Sequence, residues 1–250
     1  MKIKFSAVYL LAFLSMLFLI HELHDWAHVF VAQWITGCWG TKAFDSWTFC
    51  DLHDISGNIG VLVLLAGPLI TYIFIWVAWA LLGSTNSSSK KSLGFSMLFA
   101  SLPFARIFAA ARGGSDETSA LRQLFQNNDG SNRHIVSLAG LLLIGLLTVP
   151  ALFRAFKTLH NAKEKWIVFP FFLVAPVLID YFIMNGMNKL LAKGVLQENA
   201  APGTPLLVIL WAFFWLIIFM ATYKKLLKLF RRSHHHRRKR TSDDPDIITE

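Results

Sequence analysis

The chain has 250 residues, 55% of them hydrophobic and only 16% charged, with a formal net charge of +9. So few charges cannot cover a water-facing surface, which excludes an ordinary soluble domain and makes the lipid bilayer the expected solvent. The basic residues gather beside apolar blocks, at Lys2 and Lys4, Lys90 and Lys91, 157–165 and 224–240. There they act as topology signals, and no nucleic-acid partner is expected.

The first apolar block, 5–35, is longer than the ~20 residues one crossing needs. Its second half is expected to leave the membrane, tilt steeply or break. It is expected to be retained as a helix, because no small-residue cleavage site follows Ile20. The sequence His21-Glu22-Leu23-His24-Asp25-Trp26-Ala27-His28 lies inside this block. Ionisable residues within a span are costly and mark functional sites by default. At about 100° per residue, His21, His24, Asp25 and His28 share one helix face, and Glu22 points to its side. His24 and His28 are i, i+4 neighbours, a spacing at which two imidazoles can grip one metal ion. Asp25 then stands where H-E-x-x-H zinc proteases keep their general base. Headgroup-level placement of an otherwise inert polar cluster is the competing reading.

The loop that follows holds both cysteines, Cys38 and Cys50, along with Trp39 and Trp47. In an oxidising compartment the cysteines would form a disulfide; two free thiols are the alternative. The remaining apolar blocks are 59–82, 93–111, 135–156, 166–185 and 206–223. The third block is short and carries Arg106, which needs an anionic partner, with Asp116, Glu117 and Asp180 as candidates. After it, Gly113-Gly114 lets the chain fold back toward the first helix, bringing Asp116 or Glu117 within reach; alternatively Ser115 simply caps a short helix. Of the histidines beyond the first block, His53 and His134 fall on the outer side and His160 on the inner. The His234–His236 run belongs to a polybasic tail.

The basic loops 83–92 and 157–165 and the basic tail assign these segments to the cytoplasm. The expected architecture is an all-α, polytopic membrane protein of about six transmembrane helices, N-in and C-in. Residues 1–230 form the helical domain and 231–250 a basic, then acidic, disordered tail.

Two stretches resemble the site-2 protease family of intramembrane zinc metalloproteases. One is His24-Asp25-Trp26-Ala27-His28. The other is Ala66-Gly67-Pro68-Leu69, similar to the family's A-G-P-x-x-N element, with Thr71 in place of the asparagine. The resemblance implies a Zn²⁺ cofactor and a third ligand on a later helix within a motif like L-D-G. Leu178-Ile179-Asp180 is the nearest match, and Asp180 lies about 14 residues (~21 Å) above Trp166, in the outer half. The implied ligand set is His24, His28 and Asp180, with Asp116 or Glu117 the rival carboxylates and His21 and Glu22 secondary site candidates. The implied activity is peptide-bond hydrolysis near the outer face, with metal-activated water and Asp25 as base, on a membrane-protein or peptide substrate in a bacterial plasma membrane. Because Asp is one methylene shorter than Glu, a catalytically inactive relative with a structural, metal-binding or partner-binding role is the alternative.

Overall fold

In the computed structural model, the described residues are 2–3, 5–48, 58–85, 87–125, 133–159 and 162–231. Cys50, His53, His160, the His234–His236 run and the rest of the tail lie outside them.

The chain is an all-α polytopic protein. Six of its helical segments are long and apolar enough to cross a bilayer: Ala7–Thr36, Gly60–Leu82, Ser88–Ala111, His134–Thr158, Lys165–Ala192 and Leu206–Lys228. Helix α1 (Ala7–Thr36) starts where the Ser6 side chain accepts from the Tyr9 N–H and ends at Gly37 in the left-handed region. It runs unbroken for 30 residues. Breaking is thus ruled out among the three outcomes expected of the first block. At 1.5 Å per residue, such a helix of about 45 Å exceeds the hydrocarbon thickness of about 30 Å. Helix α2 (Asn58–Leu82) contains Pro68 and packs along α1.

The third span is two helices, α3 (Ser88–Ala100) and α4 (Pro103–Ala111). Leu102 takes a left-handed φ of 50° and Pro103 opens α4, where its missing N–H costs nothing. Gly113, at φ 72°, ends α4, with the Gly114 N–H donating to the Ala109 carbonyl. That Schellman-type turn reverses the chain into the short α5 (Asp116–Leu124), which packs on α2. Helices α6 (Arg133–Thr158), α7 (Ala162–Ala192) and α8 (Leu206–Thr222) complete the bundle, and a 3₁₀ segment, Tyr223–Lys228, follows α8.

An aromatic core made of Phe13, Phe95, Phe99 and Phe172 ties α1, α3 and α7 together through edge contacts and tilted stacks. Phenylalanine gives large area and defined ring geometry at little rotamer cost. The outward faces of α6 and α7 are apolar and open, Leu146 and Ile167 each being 72% exposed, as bilayer-facing helices must be.

Strands of two or three residues stitch the ends and loops. Lys2–Ile3 (β1) pairs antiparallel with Phe230–Arg231 (β6), placing both ends of the described chain on one side of the bundle, as an even number of crossings requires. On the opposite side Thr41–Lys42 (β2) and Trp47–Thr48 (β3) form a hairpin, and Asn199–Ala201 (β4) pairs with Thr204–Pro205 (β5). The Lys42 N–H donates to the Gly203 carbonyl and joins the two. Cys38, just before the hairpin, is disulfide-bonded, not a free thiol.

Candidate metal centre

The charged face of α1 is buried where it meets α2, α5 and the β2–β3 hairpin: His28 is 0%, Glu22 3% and Asp25 5% exposed. Its residues sort into two clusters around one cavity of about 520 Å³, which His21, His24, Asp25, Trp47, Thr71, Arg106, Asp116 and Asp180 all help to line.

The first cluster centres on the i, i+4 pair. His28 Nδ1 lies 2.7 Å from the Val63 carbonyl oxygen. A carbonyl only accepts, so Nδ1 carries a proton and donates it to Val63. His24 Nδ1 lies 2.9 Å from Thr71 Oγ1. The family-like stretch of α2 thereby acquires a physical role. Thr71, where the resemblance expects asparagine, anchors one imidazole. Gly67 makes room for both: a Cβ there would come within 2.2 Å of His28 Nε2 and 2.7 Å of His24 Cε1. Trp47 stacks flat on His28, ring centres 4.5 Å apart and 17° from parallel, covering it from the hairpin side.

The Nε2 atoms stand 3.3 Å apart, and the third donor facing them is Asp116. Its Oδ2 is 3.4 Å from His24 Nε2 and 3.7 Å from His28 Nε2. Among the described residues, His24, His28 and Asp116 are the group whose donor atoms converge, within 4.8 Å of one another. This reverses the expected ranking of carboxylates. Asp180 is instead 2.9 Å from His21 Nδ1 and belongs to the second cluster. The depth argument placed Asp180 at the right level of the bundle, but the fold-back at Gly113 brings α5 closer to the imidazole pair. The two readings of Ser115 coincide: its hydroxyl accepts from the Thr118 N–H as an N-cap, and that cap sets Asp116 at the first position of α5.

Arg106, the intramembrane cation of α4, finds its partners here. Nη1 is 2.9 Å from Asp116 Oδ2 and 3.5 Å from both oxygens of Glu117. Nη2 sits 2.6 Å from His24 Nε2 and 2.7 Å from Nδ1. Glu117 is 1% exposed and accepts from the Tyr72 hydroxyl at 2.7 Å. Burial alone would push the Asp116 carboxyl up. Its contacts with His24 and His28 and the charge of Arg106 override burial and hold it well below the usual carboxylate range.

The second cluster is an ion network. Lys42 Nζ, on a side chain with no exposed surface, lies 2.9 Å from Glu22 Oε2 and 3.3 Å from Asp25 Oδ2. Burial favours the neutral amine, but the two carboxylates outweigh it and raise the Lys42 pKa. Asp25 Oδ2 is also 3.7 Å from His21 Nε2. The carboxylate expected to act as base thus borders the cavity but is engaged by an ammonium, and Glu22, beside it, is a partner of Lys42. His134 is exposed on α6 and does not line the cavity. Sequence reasoning missed Lys42, Tyr72 and Trp47. Only for Lys42 was there a signal: two carboxylates inside an apolar helix demand a cation from elsewhere. The chain matches no family model, no curated protein and no solved structure.

Proposed function

We propose that the chain is a zinc-dependent membrane hydrolase whose metal is held by His24, His28 and Asp116. The observation that carries this is the convergence of three metal-ligating atoms: the two imidazole Nε2 atoms and one carboxylate oxygen face one another across 3.3–3.7 Å, close enough for one cation to bridge all three. Two imidazoles and one carboxylate suit zinc, and Thr71 and Val63 supply the outer hydrogen bonds that orient histidine ligands. Zinc supplies Lewis acidity toward water and a carbonyl group. Around it, the 520 Å³ cavity admits a substrate segment, Trp47 shields His28 from water, and Asp25 receives the proton that water gives up. A peptide bond of a membrane protein presented at the outer side is the substrate class that fits a site at this end of α1. The bonded Cys38 fits an oxidising exterior such as the space outside a bacterial plasma membrane.

A second reading, a metal-binding relative without activity, is favoured by one observation: Asp25 is ion-paired to Lys42 through Oδ2, so an ammonium occupies the oxygen that a base would offer to water. Cleavage of a fluorogenic transmembrane peptide in proteoliposomes separates the two. An enzyme loses cleavage in Asp25→Asn while keeping its metal, and loses both in His28→Ala. Wild-type protein that binds zinc and cleaves nothing across a panel of such peptides supports the inactive relative.

A further inference from the structure

Arg106 touches two of the three residues that converge as metal ligands. Its Nη2 lies against the His24 ring, 2.6 Å from Nε2 and 2.7 Å from Nδ1, on the imidazole that a zinc ion would bind at about 2.0–2.1 Å. Its Nη1 stands 2.9 Å from the same Asp116 oxygen that faces both imidazoles. An arginine only donates and keeps its charge at any accessible pH. Guanidinium and metal ion therefore cannot share these acceptors; in a buried site their mutual repulsion is poorly screened. The fold also holds a second place for the guanidinium. Glu117 is buried and fixed by Tyr72, and both its oxygens lie 3.5 Å from Nη1. That distance is long for a charge-assisted hydrogen bond, so Glu117 can still close on Arg106.

We infer that Arg106 and a divalent cation alternate on His24 and Asp116, and that Glu117 receives the arginine when the cation enters. The inference rests on the metal reading above. With the arginine in, it neutralises Asp116 and covers the His24 ring. With the cation in, Arg106 and Glu117 form a neutral pair beside the ion. Metal affinity is then set by two residues that are not ligands, acting with opposite sign. Arg106 opposes the metal, and Glu117 assists it by drawing Arg106 away.

The test is a titration of the full chain in detergent with Co²⁺, followed by its visible absorption, with Zn²⁺ as competitor. Arg106→Gln binds Co²⁺ about tenfold tighter or more than wild type, and Glu117→Gln about tenfold more weakly, a coupling of ordinary allosteric size. The double variant matches Arg106→Gln alone, because Glu117 acts through the arginine. Equal affinities in wild type and Arg106→Gln, or weaker binding on loss of the arginine, would overturn the alternation and leave the metal reading intact. No binding in wild type, Arg106→Gln or the double variant would overturn the metal reading itself. If Arg106→Gln does not fold, Glu117→Gln decides: weaker binding at an unchanged melting temperature supports the alternation, and unchanged binding overturns it.

Discussion

At the scale of single residues, Val63 and Thr71 orient the two imidazoles: they lie 35 and 47 residues from His28 and His24, and only the packing of α2 on α1 brings them to the Nδ1 atoms. Gly67 is the residue on which that packing turns. Gly67→Ala places a methyl 2.2 Å from His28 Nε2, and the ring sits between Val63 and Trp47 with little room to yield. The expected outcome is a loss of about 1–3 kcal/mol in stability from overpacking, together with loss of metal binding. Denaturation in detergent, with metal content measured on the same sample, checks both. A variant that keeps full metal content would show that the imidazoles need no such clearance.

At the scale of elements, the third block explains why the ligand ranking could not be read from sequence. Its shortness and the fold-back at Gly113-Gly114 were visible, but depth along a later helix does not say which carboxylate the packing brings to the imidazoles. The break at Leu102–Pro103 and the turn at Gly113 fold α5 over the end of α1, so Asp116 meets His24 while Asp180 meets His21. The β2–β3 hairpin was equally illegible, since two-residue strands leave no periodicity. Its anchor is Lys42, buried between Glu22 and Asp25. Lys42→Met strands two buried carboxylates and should cost about 3–5 kcal/mol, the usual penalty for breaking a buried ion network by removing one partner. The pH dependence follows from the raised Lys42 pKa. The stabilisation is fully present below the ordinary lysine value, about 10.4, and is lost as pH rises through the higher folded value. Wild type and Lys42→Met should therefore differ widely in melting temperature at pH 8 and converge at the alkaline end of a pH series. A gap that stays constant would mean that Lys42 acts by packing alone.

At the scale of the whole molecule, the six apolar segments were plain in the sequence because each must satisfy its backbone internally across the hydrocarbon. The pairing of β1 with β6 adds that both ends share one side. From the basic loops and tail we propose that this side faces the cytoplasm. A reporter fused after Arg240 is expected to read cytoplasmic, and an exterior signal would invert the orientation and put the metal cluster at the inner face. What joins topology to function is the meeting of α1, α2 and α5 at three metal-ligating atoms. The most direct test is the zinc content of detergent-purified protein, determined for wild type, Asp116→Asn and Asp180→Asn. Bound zinc in wild type and in Asp180→Asn, with none in Asp116→Asn, is the predicted result. Zinc-free wild type, or zinc lost from Asp180→Asn and retained by Asp116→Asn, would contradict the assignment of His24, His28 and Asp116 as the metal centre.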